Sequence, residues 1–245
     1  MFNDLNPALV YAANSLIPIL SLLFGYLWAS IPNAVIIGKI FYKKDPRDFG
    51  SHNPGGTNVI RTLGYLPGVI VILLDMIKSI APFWIMFSIL KFTELNNYLY
   101  NDVLNLSIWI TAFGCILGHC YSIFLKFKGG KGVATYMGTL GTSNIFQLIF
   151  GFITFITTIS VKKIVSLGSI LVSIFACLIS WILFITYSVY PASQEVINLM
   201  FLYNPELLSM HWSYPLIVTL MTFIVLFRHK ENIQRLIKKE EKVNY

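Results

Sequence analysis

The chain has 245 residues, of which 56% are apolar, 15% aromatic and only 12% charged, against roughly 25% charged in an ordinary soluble domain. Together with a mean hydropathy of +0.70, that shortage of charge excludes a water-covered globule and calls for a lipid-facing surface. A net charge of +7 would suit nucleic acid in a soluble protein, but in a membrane protein it reports orientation, so the placement of the charges decides.

The opening stretch MFNDLNPALVYAANS has no basic region and runs into an apolar segment too long for a cleaved signal, so the first helix is expected to be retained. A spanning helix needs roughly 20 mainly apolar residues. Runs of this kind cover residues 14–41, 67–90, 104–125, 165–189 and 214–227. The last is short, with His211 and Trp212 before it suited to an interface. The stretch from Gly132 to Ser160 is apolar too, with Gly138, Gly141, Thr142, Ser143 and Asn144 in its first half. Cys115, Cys120 and Cys177 lie in apolar runs without a CxxC pair and read as small buried hydrophobes, with no metal site.

Basic residues set the topology. If the loop after the first run is cytoplasmic, all of the 18 Lys and Arg residues except Lys39, Lys78 and Lys91 fall on that side. The opposite loops, 91–103 and 190–213, hold Lys91 with Glu94, Asp102, Glu195 and Glu206. This bias puts the N-terminus outside and the C-terminus in the cytoplasm. An even number of crossings must then separate Lys131 from Lys162. Two short or partly re-entrant helices of about 14 residues, turning near Gly141 to Asn144, meet that requirement. The expected fold is an all-α, polytopic integral membrane protein of about seven transmembrane helices, forming one domain over residues 1–245. No internal repeat is evident. The tail HKENIQRLIKKEEKVNY reads as a short amphipathic helix with Ile233, Leu236 and Ile237 on one side, lying at the cytoplasmic interface, and a surface helix is expected within 190–213.

Polar groups concentrate in four segments on the cytoplasmic side. GSHNPGGTNVIRTLG, Gly50 to Gly64, packs Ser51, His52, Asn53, Thr57, Asn58 and Arg61 among glycines; glycine lets backbone amides approach an anion, and Arg61 offers a fork of donors matched to phosphate. KFKGGKG places Lys126, Lys128 and Lys131 among Gly129, Gly130 and Gly132 before a helix start, where free amides and the helix dipole favour phosphate. It is not a Walker A loop. In KKIVSLGS, Ser166 opens a helix, which capping alone would explain. In FRHKENI, His229 and Asn232 follow directly on a membrane helix. Asp75 and Lys78, at i and i+3 within a span, can neutralise each other as a structural pair or mark an ion path. His119, one turn before the lysine loop, is placed to orient that loop or to touch substrate. The sum suits a ligand with an acidic head and an acyl chain.

GSHNPGGTNVIRTLG, HCYSIFLKFKGGKGVAT and RHKENIQRL, in this order and at these intervals, resemble the bacterial acyl-phosphate:glycerol-3-phosphate acyltransferases over about residues 25 to 240. His52 and Gly56 replace the family's usual small residues, Ser122 its proline and Ala29 a common glycine, while the Ser, Arg, Lys, His and Asn positions are kept. The resemblance implies a multi-pass enzyme of the bacterial inner membrane with a cytoplasmic active site. Its reaction moves an acyl group from acyl phosphate to the 1-hydroxyl of glycerol 3-phosphate, giving lysophosphatidic acid and inorganic phosphate, the first acylation of phospholipid synthesis. It further implies Ser51, Arg61, Lys131, His229 and Asn232 as catalytic residues. Asn53, Thr57, Asn58, Lys126, Lys128, Gly129, Gly130, Gly132 and Ser166 are implied as substrate-binding residues. The proton of the attacking hydroxyl could pass to His229 or to a phosphate oxygen of the donor. No cofactor, metal or nucleic acid is expected, and the protein is expected to be a monomer coupled functionally to the enzyme that makes acyl phosphate. None of the four histidines has an Asp at the spacing of an HxxxxD acyltransferase box. An organic-phosphate transporter is the alternative, but transporters place substrate groups near the midplane on broken, repeated helices.

Overall fold

The computed structural model describes residues 5–195, 197 and 210–241. It divides into two compact units, Met1–Gly138 and Thr139–Tyr245.

The first unit opens with α1 (Pro7–Ala29), where Asn6 caps the helix by accepting from the Ala8 N–H at 2.9 Å and Pro7 takes the first helical position. The expected span over 14–41 is not one helix: the chain leaves α1 at Ser30 and resumes as α2 (Asn33–Tyr42). Pro32 lacks an N–H and disfavours helical backbone at Ile31, while Ser30 Oγ turns back to donate to Tyr26 O at 2.7 Å. α3 (Gly56–Leu63) is followed by α4 (Tyr65–Phe92) and α5 (Asn101–Cys120). Small residues bring α1 against α5. A Cβ on Gly25 would lie 2.1 Å from Thr111 O, one on Gly114 2.3 Å from Leu22 O and one on Gly118 2.1 Å from Tyr26 O. Backbones this close recover in dispersion what lipid cannot supply as a hydrophobic drive. α3 rests on α4 in the same way, through Gly56 against Ile72 and Gly68 against Ile60.

α6 (Val133–Ser143) leads into the second unit, which continues with α7 (Ile145–Lys162), α8 (Val165–Val189), α9 (Ser213–Arg228) and α10 (Lys230–Ile237). The turn expected near Gly141 to Asn144 falls at Asn144, whose side chain accepts from Gln147 N at 3.1 Å. The arms are not two equal helices of about 14 residues but helices of 11 and 18. The 18-residue α7, with Ile149, Ile153 and Ile156 exposed, is one of five segments among the described residues that are long and apolar enough to cross a membrane. The others are Pro7–Tyr42, Tyr65–Phe92, Asn101–Leu125 and Val165–Val189, whereas α9 is a shorter apolar helix. Polar groups tie this unit together: in its interior Gln147 Nε2 donates to Ala176 O at 2.7 Å and the Tyr214 hydroxyl donates to Gln147 Oε1, and on its exposed side Trp181 Nε1 donates to Thr219 Oγ1 at 2.9 Å. In an apolar solvent such groups have no alternative partners, so they fix helix register. The tail forms the expected helix as α10, with Ile237 exposed. The surface helix expected within 190–213 lies largely outside the described residues; the part described includes the turn Pro191–Ser193 and helical backbone at Gln194, Glu195 and Ile197. Cys115 and Cys120 are fully buried as expected, whereas Cys177 is only half-buried.

Candidate active site

The first motif is built around Asn58, which is 2% exposed. Its Nδ2 donates to Pro46 O at 2.7 Å and Phe49 O at 3.1 Å, and its Oδ1 accepts from the Ser51 N–H at 2.8 Å. A side chain expected to bind substrate therefore spends its amide on shaping the loop. Asp45, at the loop's entry, accepts from Arg47 Nη2 at 2.6 Å and Nε at 3.0 Å, and these hydrogen bonds hold its carboxyl well below the usual carboxylate range. Three of the glycines also have structural roles of their own. Gly50 (φ 64°) and Gly64 (φ 107°) make turns that only glycine takes without strain, and Gly56 lets α3 lie on α4. Gly55 has ordinary room around it, and Gly64 has open space, its constraint being φ alone. What the loop presents outward is Ser51 and, on the last turn of α3, Arg61, both exposed, with Thr57 half-buried in the first turn. Asn53 Oδ1 is buried with no hydrogen-bond partner, the kind of group that a polar ligand satisfies.

The second motif folds flat onto the end of α5. Gly129 N donates to Cys120 O and Gly130 N to His119 O, both at 3.1 Å. A Cβ on Gly129 would meet His119 O at 2.0 Å, and one on Gly130 would meet His119 Nε2 at 2.1 Å. These two amides are thus already used, which corrects the expectation that they are free for phosphate. Gly132 (φ 85°) then turns the chain into α6. Lys126 and Lys128 are exposed and Lys131 is half-buried at the head of α6, where the helix dipole adds positive potential. The loop's positive charge lies in these three lysines, at and before the start of α6.

Beneath both loops of this unit lies a buried charged cluster. Lys78 Nζ is 2.8 Å from Asp75 Oδ1, Asn33 Nδ2 donates to the same oxygen at 3.0 Å, and His119 Nδ1 stands 3.8 Å away. These residues line a small pocket with Pro54 of the first loop and Gly130 of the second. Asp75 and Lys78 thus form the expected i, i+3 ion pair.

In the second unit, Ser166 and Asn232 meet at a residue that sequence reasoning passed over. Ser166 Oγ and Asn232 Nδ2 each donate to Glu241 Oε1 at 2.7 Å, and Arg235 Nε donates to Oε2 at 2.6 Å. Burial alone would push the Glu241 carboxyl up, but these hydrogen bonds outweigh it and hold the group below its ordinary value. Ser166 makes no capping bond, so capping does not explain it. His229, 2% exposed at the α9–α10 junction, places Nδ1 2.8 Å from Val225 O. A carbonyl only accepts, so Nδ1 donates to it, and in a neutral ring Nε2 would then be the acceptor nitrogen. No sequence signal marks Glu241: it is brought back to Asn232, nine residues earlier, by the short turn after Ile237 in which Lys239 takes φ 59°. Among the described residues no group of three or more His, Cys, Asp or Glu could hold a metal ion.

A buried ion pair within apolar helices, with cationic and polar loops at their ends, is the build of an integral membrane protein with a polar site at the helix ends. The family model for glycerol-3-phosphate acyltransferase matches residues 19–239, so the chain belongs to that family. It is 37% identical over 227 residues to the glycerol-3-phosphate acyltransferase of Staphylococcus carnosus, covering 91% of this chain and 96% of that one. It is 33% identical to that of Proteus mirabilis, covering 90% and 83%. The crystal structure of PlsY, an integral membrane glycerol 3-phosphate acyltransferase in its glycerol 3-phosphate form, superposes with a TM-score of 0.70 at 28% identity, covering 93% of this chain and 96% of that one. The lysophosphatidic acid form gives a TM-score of 0.69 at 27% identity.

Proposed function

We propose that the protein transfers a fatty acyl group from acyl phosphate to the 1-hydroxyl of glycerol 3-phosphate, releasing lysophosphatidic acid and inorganic phosphate. The observation that carries this reading is the loop Lys126–Gly132, laid down on α5 so that Lys131 sits at the head of α6. The glycerol 3-phosphate and lysophosphatidic acid forms of PlsY support the acceptor and product. Acyl phosphate is a mixed anhydride with a good leaving group, so the protein's tasks are alignment and charge stabilisation. Lys126, Lys128 and Lys131 hold the donor phosphate, with the acyl chain among the apolar helices. Arg61, with Asn53 and Thr57, serves glycerol 3-phosphate, and Ser51 supports a phosphate or the attacking hydroxyl without forming an acyl-serine. His229 and Asn232, with Ser166, are assigned to the acceptor by motif order; His229 Nε2 or a donor phosphate oxygen takes the hydroxyl proton. Gly129, Gly130, Gly132 and Asn58 shape the loops.

The basic loops further support seven crossings, an outside N-terminus and a cytoplasmic site in the bacterial inner membrane. The protein would work as one domain and as a monomer beside the enzyme that supplies acyl phosphate. The test uses detergent-purified protein with palmitoyl phosphate and glycerol 3-phosphate, reading phosphate and lysophosphatidic acid together. Wild type should make both in equal amounts. Arg61→Ala and Lys131→Ala should each lose roughly 100-fold or more in rate, as when a donor to developing charge is removed. Folded wild type that made neither product would overturn the reading.

A further inference from the structure

His119 is 7% exposed and sits between two sets of groups. On one edge its Nδ1 faces Asp75 Oδ1 at 3.8 Å, within electrostatic reach, and Asp75 is itself held by Lys78 and Asn33. On the other edge its ring lies against the Gly130 backbone. The three atoms nearest to a Cβ built on Gly130, at 2.1, 2.9 and 3.1 Å, are all ring atoms of His119. The same residue's carbonyl accepts the Gly130 N–H at 3.1 Å. His119 thus holds Gly130 by its main chain and supports it from below by its side chain, one residue before Lys131.

We infer that His119 is a positioning residue: its imidazole, steadied by the buried Asp75–Lys78 pair, is the floor that sets the height of the second loop and the placement of Lys131. This inference rests on the reading of that loop as a phosphate-binding element. The ring is not asked to touch substrate. It acts through Gly130, so any effect must be coupled to that glycine.

The coupling supplies the test. A Cβ added at Gly130 collides only with the imidazole among its nearest neighbours, so removing the imidazole also removes the collision. His119→Ala, Gly130→Ala and the double variant are compared with wild type in the palmitoyl phosphate and glycerol 3-phosphate assay, alongside a thermal midpoint for each. Each single change should raise the KM for one phosphate substrate about tenfold, palmitoyl phosphate on the reading above, leaving the other within about twofold. The double variant should be no worse than His119→Ala, not about a hundredfold impaired. His119→Gln, which keeps a polar terminus near the Nε2 position, should recover most of the loss and keeps the test alive where His119→Ala fails to fold. Multiplying effects, equal rises in both KM values that track the thermal midpoint, or an unchanged KM in His119→Ala would overturn the inference alone. Inactive wild type would overturn the loop reading and the inference together.

Discussion

Removing the Asp75 carboxylate while keeping Lys78 should be among the most destabilising single changes available to this chain. The two side chains are 3% and 8% exposed and stand 2.8 Å apart. The other described contact of the Lys78 ammonium, Ile31 O, is long at 3.4 Å. Asp75→Leu leaves that ammonium buried without its counter-charge, which costs about 3–5 kcal/mol. At about 2–4 °C per kcal/mol for a chain of this size, the thermal midpoint should fall by about 6–20 °C. Asp75→Leu with Lys78→Met removes both charges, and apolar replacement of a whole buried pair is nearly neutral or stabilising. The double variant should therefore stand within about 3 °C of wild type or above it. Unfolding is read in detergent with a thiol-reactive dye. Cys115 and Cys120 are 0% exposed, and a Cys177→Ala background silences the half-buried third thiol. A midpoint shift under about 2 °C in Asp75→Leu, or a double variant as unstable as the single, would refute the reasoning.

Three further outcomes follow from local geometry. Gly129→Ala puts a Cβ 2.0 Å from a backbone carbonyl that cannot swing away, so it should lower the thermal midpoint and abolish turnover, while Gly55→Ala, whose nearest neighbour is 3.6 Å off, should leave the midpoint unchanged within about 2 °C. Gly118→Ala, 2.1 Å from Tyr26 O, should separate α1 from α5 and lower the same midpoint by about 4 °C or more. Asp45, whose carboxyl is held below its ordinary value, contributes stability that is present above the ordinary carboxylate range and is lost as pH falls through the lowered value. Asp45→Asn should thus be less stable than wild type at pH 7, and the gap should close only in strong acid; a gap unchanged down to acid unfolding would refute the assignment.

Much of the helical order was legible because lipid imposes a simple rule: long uncharged runs become helices. Polar residues in such runs mark packing or function. The runs at 67–90, 104–125 and 165–189 match α4, α5 and α8 closely. The run at 14–41 misled because hydropathy does not register a proline that breaks a helix while the segment stays apolar. The hairpin misled in its arm lengths because Asn144 serves as a cap, a decision made by one side-chain hydrogen bond. Within the motifs, residue types pointed to phosphate chemistry, but the division of labour did not follow from composition. A glycine read as room for an anion and one read as room for a neighbouring helix are the same letter.

Composition, charge placement and three ordered motifs determined by themselves that this is a helical membrane protein of the glycerol-3-phosphate acyltransferase family. They could do so because hydropathy and charge are sums over neighbours in the chain. Tertiary structure alone decided that Asn58 shapes its own loop and that Gly56, Gly129 and Gly130 stand where a Cβ would collide. It likewise decided that His119 lies against Gly130 and that Glu241 draws Ser166 and Asn232 together. Those assignments depend on which atoms meet across 7, 11 or 75 positions of sequence, a matter settled by packing.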